Sequence, residues 1–323
     1  MTSRVLVTGG AGFIGSHLVR RLHAEGHSVR VLDNLATGFR HNLEEVLDSI
    51  DFIEGDICDL GVCTKASQDI DTVFHVAALP SVPRSMADPM GTHNTNVNGT
   101  LNLLESARQQ GVRRFVYSSS SSAYGDTPDL PKVESMEPLP RSPYAAAKLS
   151  GELYTLAYAR AGLIDGVALR YFNVFGPRQD PNGPYAAVIP LIFRAVLTDS
   201  PVTIFGDGRQ TRDFTYVDNV VDANLLGAFQ DSRRVSGHVV NVGTGSRISL
   251  LDLIALAEDV TGKRITIRHL PDRAGDVRDS QAGLERARAV LGYQPKVAVR
   301  EGMARLWEWY AENPSAVLSA TPG

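Results

Sequence analysis

A tyrosine and a lysine four residues apart, Tyr144 and Lys148, are the first candidates for chemistry in this sequence. On a helix, this spacing places both side chains on one face. A free phenol has a pKa of about 10 and is a weak base at neutral pH, whereas a nearby ammonium favours the phenolate. We therefore predict that Tyr144 exchanges a proton with a substrate hydroxyl, supported by Lys148. Taken alone, the two residues could also be an ordinary pair on a helix surface.

Five consecutive serines occupy positions 118–122, at the end of a segment whose β-branched and aromatic residues predict a strand. Ligands of open α/β sheets bind at the carboxyl ends of the strands, so hydroxyls here can reach a substrate. A serine of this run can bond the substrate hydroxyl and share its proton with Tyr144. A polar loop without chemistry is the alternative for the run taken alone.

A glycine-rich segment at 9–15 (GGAGFIG) lies between a predicted strand and a predicted helix. Glycines permit the tight turn and the approach of backbone amides to a pyrophosphate, and the helix N-terminus carries partial positive charge. Asp33 ends the second predicted strand, 18 residues after Gly15, where a carboxylate accepts bonds from adenosine ribose hydroxyls. It would repel a 2′-phosphate, so we predict NAD rather than NADP. The segments 55–57 and 75–78 are expected near the adenine and the pyrophosphate.

Strand-like and helical patterns alternate along the chain, which is typical of an α/β fold with a doubly wound parallel sheet of the Rossmann type. We predict strands at 4–8, 28–33, 50–54, 72–76, 114–118, 166–171, 202–205 and 239–242. Helices are predicted at 13–25, 89–110, 143–160, 187–197, 217–229, 250–260, 283–291 and 299–310. We expect an NAD-binding domain at 1–172 with a return segment at about 213–247, and a smaller C-terminal α/β substrate lobe at 173–212 and 248–323.

The bulk composition restricts the partners of the protein. A formal net charge of −4 disfavours nucleic acid and anionic membranes, and no apolar run approaches the ~18 residues that span a bilayer. Cys58 and Cys63 lack neighbouring ligands at metal-binding spacing, so we expect two reduced thiols and no metal site. These features predict a cytoplasmic protein that acts on small molecules.

Together, the glycine segment, Asp33, Ser120, the pair of Tyr144 and Lys148, and the RYFN string at 170–173 resemble the extended short-chain dehydrogenase/reductase superfamily. More narrowly, nearly the whole chain resembles the UDP-hexose 4-epimerases. The strings SVPRS at 81–85, LPKVE at 130–134 and RYFNVFGPRQDPNGPYAAVIP at 170–190 are most similar to the UDP-N-acetylglucosamine 4-epimerases. The resemblance implies that Ser120, Tyr144 and Lys148 form the catalytic set.

The resemblance also implies that NAD is the cofactor. We expect NAD to contact the glycine segment, the strand ends and the catalytic pair, namely Gly9, Gly12, Phe13, Ile14, Gly15, Asp33, Asn34, Gly38, Asp56, Ile57, Ala77, Ala78, Asn96, Tyr144, Lys148 and Tyr171.

The substrate implied by the resemblance is a UDP-sugar. Arginine forms a bidentate fork with phosphate oxygens, which fits Arg212 and Arg273 at the diphosphate. Asn173 would donate to the diphosphate and Asp276 would accept from the uridine ribose. Ser280 matches a family position beside the 2-substituent of the sugar, where a small side chain leaves room for an N-acetyl group. The other expected contacts are Ser81, Ser120, Tyr144, Ala187, Val188, Thr203 and Phe205.

The implied reaction interconverts UDP-N-acetylglucosamine (UDP-GlcNAc) and UDP-N-acetylgalactosamine (UDP-GalNAc), and also UDP-glucose and UDP-galactose, through a 4-keto sugar with tightly bound NAD. The alternatives are a UDP-glucose 4-epimerase with little N-acetyl activity, another NAD-dependent sugar-nucleotide enzyme, a net dehydrogenase, and a non-catalytic NAD sensor. Related dehydratases and decarboxylases carry acidic residues just after the catalytic hydroxyl, where this chain has Ser121 and Ser122. By analogy with the family, the helices at 89–110 and 143–160 would form the interface of a homodimer.

Overall fold

Parallel strands dominate the computed structural model, which describes residues 2–181, 186–271 and 277–314. The strands are β1 (Arg4–Thr8), β2 (Ser28–Asp33), β3 (Asp51–Glu54), β4 (Thr72–His75), β5 (Arg114–Ser120), β6 (Asp165–Tyr171), β7 (Val174–Phe175), β8 (Val202–Phe205), β9 (Thr211–Arg212), β10 (Thr215–Tyr216), β11 (His238–Val242), β12 (Ile248–Ser249) and β13 (Ile267–Leu270). Seven of them form one parallel sheet in the order β3-β2-β1-β4-β5-β6-β11. Because the sheet is parallel, the carboxyl ends of its strands meet at one edge.

Helices cover both faces of this sheet. They are α1 (Phe13–Ala24), α2 (Leu60–Ser67), α3 (Val82–Ala87), α4 (Pro89–His93), α5 (Gly99–Gln109), α6 (Pro143–Arg160), α7 (Val188–Thr198), α8 (Val217–Phe229), α9 (Ser232–Val235), α10 (Leu250–Thr261) and α11 (Val299–Glu312). A π-helical segment, Asn94–Asn98, joins α4 to α5, and a 3₁₀ turn, Ser121–Tyr124, follows β5.

Alternate residues of the central strands face opposite layers of helices, as the period of a strand requires. Val5 and Val7 pack into a core with residues of α1 and α8. Leu6 and Phe115 pack on the other face with residues of α5 and α6. Both faces of the sheet are therefore buried, which explains why its strands are almost continuously apolar.

A separate apolar core lies under the later segments of the chain. It joins α7, α10 and α11 to β8 through fully buried side chains such as Ile192, Leu253, Leu306 and Ile204. β8 pairs in parallel with β13, and β9 pairs in antiparallel with β12. This core matches the expected smaller lobe, whereas the sequence bounds of the two domains stay a prediction.

The structure confirms the Rossmann-type α/β fold, with local differences from the predicted elements. The helix predicted at 89–110 begins at Pro89, where the Asp88 side chain caps it, and is interrupted by the π-helical segment Asn94–Asn98. The helix predicted at 283–291 is largely a short π-helical segment, Ala287–Leu291. α2 and β13 were not predicted, since elements of four to eight residues show little periodicity. In the described ranges, no helix is long and apolar enough to cross a membrane, and no cluster of metal-ligating side chains is found.

Candidate active site

The glycine segment forms a tight turn between β1 and α1. Gly9 has a φ of +68°, and a Cβ there would lie 2.7 Å from the backbone of Ala77. A Cβ on Gly15 would collide with the carbonyl oxygen of Gly9. Gly12 is the N-cap of α1 and supplies no side-chain cap, so the first turn of the helix opens onto a cavity. This arrangement fits a pyrophosphate, because amide donors and partial positive charge lie at the cavity edge.

Asp33 ends β2 and lines the same cavity, with only 8% of its surface exposed. Its two carboxylate oxygens accept hydrogen bonds from the backbone N–H groups of Leu35 (2.8 Å) and Ala11 (2.9 Å). Burial raises the pKa of Asp33, and the two backbone bonds lower it. Each oxygen keeps acceptor capacity for a ribose hydroxyl. A carboxylate held this firmly disfavours a neighbouring phosphate, which supports the preference for NAD over NADP.

This cavity, the inner cavity, extends from Asp33 past the glycine turn to the catalytic pair. The predicted NAD contacts that line it are Gly9, Gly12, Phe13, Ile14, Gly15, Asp33, Asn34, Ile57, Ala77, Ala78, Tyr144, Lys148 and Tyr171. Gly55 and Val76, from the segments expected near the adenine and the pyrophosphate, also line it. The sequence prediction did not include the other lining residues, which are Leu32, Ala36, Thr37, Leu79, Pro80, Thr95, Ser118 and Ser119. Most of them are neighbours of a predicted contact in the sequence. Their position near the carboxyl ends of the parallel strands could therefore have identified them.

Three predicted NAD contacts, Gly38, Asp56 and Asn96, are not among the residues that line the inner cavity. Asn96 is 1% exposed, and its side-chain amide bonds the backbone N–H and carbonyl of Leu79 (2.8 and 3.0 Å). Asp56 accepts a hydrogen bond from the side chain of Asn34 (2.9 Å). Gly38 packs against the backbone of the glycine turn. In the structure these residues position the cavity wall, and their direct contact with NAD stays a prediction.

β5 and α6 bring the predicted catalytic hydroxyls together. Ser120 is the last residue of β5, and Tyr144 lies in the first turn of α6, which is capped by Ser142. Ser120 and Tyr144 both line one cavity. Burial raises the pKa of Tyr144, and the bond to Ser120 lowers it. Tyr144 therefore needs further positive charge in the site before its phenolate is favoured near neutral pH.

Lys148 lies one turn further along the same face of α6 and is 4% exposed. Its Nζ lies 4.9 Å from the centroid of the Tyr117 ring. Burial lowers the pKa of Lys148 to about 7. Lys148 lines the inner cavity, so a ribose hydroxyl bound there would accept a hydrogen bond from its ammonium group. The expected lowering of the Tyr144 pKa by Lys148 stays a prediction, since burial has the largest influence on both groups.

The five serines differ in their partners. Ser118 and Ser119 form hydrogen bonds of 2.9 and 2.7 Å with other buried side chains of the protein. Ser120 instead accepts bonds from the hydroxyl and backbone N–H of Ser122 (2.9 and 3.2 Å), which leaves its own proton for Tyr144. This arrangement is compatible with the predicted role of Ser120, which itself stays a prediction.

Two more cavities continue from the inner cavity. The middle cavity is lined by Ser119–Ser122, Tyr124, Gly125, Lys132, Val82, Val277 and Ser280, and it shares Ile14, Ser119, Tyr144 and Tyr171 with the inner cavity. The outer cavity is lined by the predicted contacts Ala187, Val188, Thr203 and Phe205. Asn173, Val174 and Arg212 line both the middle and the outer cavity. Tyr144 and Arg212 thus mark the two junctions of one continuous row.

The remaining predicted substrate residues have different outcomes. Ser280 is 9% exposed and lines the middle cavity, as expected. Ser81 accepts a hydrogen bond from the N–H of Arg84 (3.3 Å) and caps α3, while its neighbour Val82 lines the middle cavity. Arg273 and Asp276 lie outside the described residues.

Residues 5–243 match the model of the NAD dependent epimerase/dehydratase family. The protein belongs to this family. A relative, the UDP-glucose 4-epimerase of Mycolicibacterium smegmatis, is 42% identical over 95% of this chain and 98% of its own length. The family assignment confirms NAD as the cofactor and places the chain among enzymes of the epimerase type.

Solved structures support the same conclusion. The UDP-N-acetylglucosamine 4-epimerase of Methanobrevibacter ruminantium, in complex with UDP-N-acetylmuramic acid, is 38% identical with a TM-score of 0.91, covering 97% of this chain and 99% of that one. The UDP-glucose 4-epimerase of Thermus thermophilus, in complex with NAD, is also 38% identical, with a TM-score of 0.87 over 95% and 99% of the two chains. These findings support an NAD-dependent UDP-sugar 4-epimerase and leave the choice of hexose to the site itself.

Proposed function

We propose that this protein is an NAD-dependent UDP-sugar 4-epimerase that interconverts UDP-GlcNAc with UDP-GalNAc and also UDP-glucose with UDP-galactose. The observation that carries the proposal is the row of three cavities, with Tyr144 at the first junction and Arg212 at the second. The order of the cavities matches the order of the groups to be bound, which are nicotinamide, hexose, diphosphate and uridine.

The residues of the inner cavity fit NAD, with the glycine turn at its pyrophosphate, Asp33 at its adenosine ribose and Lys148 at its nicotinamide ribose. Bound NAD⁺ supplies a reversible hydride acceptor for C4 of the sugar. Tyr144 takes the proton of the C4 hydroxyl, with Ser120 sharing the hydrogen bond, and returns it at the end of the cycle. Arg212 would hold the diphosphate while the 4-keto hexose turns, so that the opposite face of C4 is directed toward the inner cavity and its C4 oxygen can again take the proton from Tyr144.

The proposed acceptance of N-acetyl sugars rests on the size of Ser280. Its small side chain lines the middle cavity and leaves volume beside the sugar. NMR of the purified protein with UDP-GlcNAc or UDP-glucose, without added cofactor, tests the proposal. We expect both to be converted to their 4-epimers. Conversion of UDP-glucose alone would establish the narrower alternative, a UDP-glucose 4-epimerase.

A substitution at Ser280 tests whether the volume of this side chain determines the acceptance of N-acetyl sugars. In Ser280→Tyr the phenol ring fills the space for the acetamido group, so kcat/KM for UDP-GlcNAc should fall at least tenfold more than kcat/KM for UDP-glucose. Ser280→Ala keeps the volume and is the matched control. An equal loss on both sugars in the tyrosine variant would contradict the steric argument.

Elimination and decarboxylation are disfavoured by the composition of the middle cavity. No acidic residue lines it within the part of the chain that the structure describes, so a base for proton abstraction at C5 of the sugar is lacking there. Epimerisation leaves the mass of the substrate unchanged. A product of altered mass, or stoichiometric accumulation of NADH, would assign the protein to another branch of the family.

We also propose a homodimer that buries α3, α4 and α6. These helices pack together and carry exposed apolar side chains, with Met90, Met86 and Leu153 exposed by 76, 64 and 56%. A self-complementary apolar face is typical of two-fold dimers. Sedimentation should give the mass of two chains, and Leu153→Lys should shift it toward one chain.

A further inference from the structure

A fully buried carboxylate follows Arg212 in the chain and has no part in proton transfer or in direct contact with the diphosphate. Asp213 is 0% exposed. Its Oδ1 accepts hydrogen bonds from the backbone N–H and the hydroxyl of Thr244 (2.8 and 2.7 Å). Its Oδ2 accepts bonds from the backbone N–H groups of Gly245 (2.9 Å) and Ala282 (3.1 Å). An ionised carboxylate has about four acceptor sites, so these donors satisfy it within the protein.

The bonds of Asp213 connect segments that are far apart in the sequence. Its carboxylate ties the chain at 211–213 to the loop after β11 and to the segment that carries Ser280. Its backbone carbonyl accepts a further bond from the side-chain amide of Asn173 (3.1 Å). Arg212, Asn173 and Ser280 all line the middle cavity. Three residues of the cavity wall are therefore held together around one short stretch of chain.

The backbone that carries Arg212 is fixed from several directions. Arg212 pairs with Ile248 where β9 meets β12, and the preceding carbonyl, of Thr211, accepts from the N–H of Ser280 (3.1 Å). The Asp213 carboxylate anchors the following residue. A guanidinium binds phosphate oxygens through paired N–H donors of defined geometry, so a shift of its backbone displaces both donors.

The charge of Asp213 does not serve the stability of the fold. Burial raises the pKa of Asp213, and the hydrogen bonds from Thr244, Ala282 and Gly245 lower it, with burial prevailing. The folded protein therefore binds this proton more tightly than the unfolded chain does, and the ionised carboxylate reduces stability relative to the protonated acid. What the carboxylate supplies is two acceptor oxygens in fixed geometry, which a neutral amide of the same size lacks.

We propose that Asp213 is a positioning residue for substrate binding, whose carboxylate holds Arg212 where it can bind the diphosphate of the UDP-sugar. The inference rests on the proposed 4-epimerase function. Asp213 is not among the residues that line the three cavities, so it acts through Arg212 and does not touch the substrate. A firm hold on the diphosphate matters in this reaction, because the 4-keto hexose has to turn while it stays bound.

Titration calorimetry with UDP on the NAD-loaded protein measures this hold without any turnover. In Asp213→Asn an amide group replaces one oxygen and meets backbone N–H groups donor to donor, so the chain at 211–213 has to shift. The Kd for UDP should rise by about 10- to 100-fold, the range expected for a displacement of about 1 Å. The KM for UDP-glucose should rise with it, while the NAD that copurifies stays unchanged. A fall in kcat alone, with the Kd for UDP unchanged, would overturn the proposal.

A double-variant cycle with Arg212→Ala separates positioning from folding. If Asp213 acts through Arg212, then Asp213→Asn should change the Kd for UDP by less than about twofold when Arg212 is already absent. Equal losses in both backgrounds would assign Asp213 to folding alone and overturn the inference, while the proposed function stands. If Arg212→Ala itself leaves the Kd for UDP unchanged, the diphosphate contact of the proposed function fails, and the inference fails with it.

Two further variants complete the test. Asp71→Asn is the matched control, since this carboxylate also accepts a backbone N–H, from Arg4 (2.8 Å), but lies just before β4 at the opposite edge of the sheet. Its Kd for UDP should equal that of wild type. Thr244→Val replaces Asp213→Asn if that variant fails to fold, because it keeps the carboxylate and removes only one donor. It should raise the Kd for UDP by about 2- to 10-fold. An unchanged Kd in this variant would overturn the proposal.

Discussion

A buried ion pair contacts Ser119, the neighbour of the predicted catalytic Ser120, and allows a quantitative test of how the site is held. Glu152 and Arg170 are each only 2% exposed in their side chains. Arg170 donates two hydrogen bonds to the Glu152 carboxylate, of 2.6 and 2.9 Å. Ser119, the residue before the catalytic serine, donates a third of 2.7 Å. The pair thus joins α6, one turn after Lys148, to β5 and β6.

The pKa of Arg170 shows that Glu152 stabilises the charged form of the buried guanidinium. Burial lowers this pKa, but the hydrogen bond and the charge of Glu152 outweigh burial and raise it above the ordinary value. In Glu152→Ala the guanidinium stays charged and buried without its partner, which should reduce the free energy of unfolding by about 3–5 kcal/mol. Arg170→Met should have a similar effect, because it leaves a buried carboxylate bonded only by Ser119. The double variant Glu152→Leu with Arg170→Met buries no charge and should be less destabilised than either single variant.

Urea unfolding of the NAD-saturated proteins, followed by circular dichroism, measures these differences. Arg300→Met is the control, since it breaks the exposed pair of Arg300 with Asp259 and should change stability by less than about 1 kcal/mol. The double variant should remain at least tenfold less active than wild type, because Ser119 loses the acceptor that fixes the end of β5. The reasoning would be refuted by single variants that lose less than about 1 kcal/mol, or by a double variant less stable than both.

Two further predictions concern the catalytic pair. Tyr144→Phe should retain NAD and substrate binding but lower kcat by about 10²–10⁴-fold, because only the proton-transfer group is removed; near-normal turnover would contradict its role. Its stability should change by about 1 kcal/mol or less, since Ser120 keeps its bonds with Ser122. Burial lowers the pKa of Lys148 from the ordinary lysine value of 10.5 to about 7. Between these two pH values the unfolded chain holds a proton that the folded protein releases, so stability rises with pH. Lys148→Met should abolish this rise in nucleotide-free protein and stabilise it by a few kcal/mol below pH 7; urea unfolding at pH 6 and 9 would show an unchanged rise if the assignment is wrong.

Local features of the sequence were sufficient for the inner cavity and the catalytic pair. The glycine turn and Asp33 lie at the ends of two adjacent strands, so short-range constraints on backbone conformation determine their geometry. Tyr144 and Lys148 share one helix, whose period alone places them on a common face. For these residues, the spacing along the sequence is sufficient to predict their relative positions in space.

Other features depended on contacts between distant segments. The choice of Ser120 among five serines follows from hydrogen bonds that occupy Ser118 and Ser119. The two hydrogen bonds between the Asn96 side chain and the backbone of Leu79 likewise join residues 17 positions apart. Such partners are brought together by the folded sheet and helices, and spacing along the chain does not record them.

The sequence by itself thus determined the fold class and the cofactor, and it predicted Tyr144 and Lys148 as the catalytic pair. Only the tertiary structure decided that three cavities form one row, and that Lys132 enters the wall of the middle one from a loop bound to residues 281–283. The physical reason is that the burial and charge of a side chain are set by neighbours far apart in sequence. A lysine in a polar string indicates a solvated surface until packing shows that it is buried in the wall of a cavity.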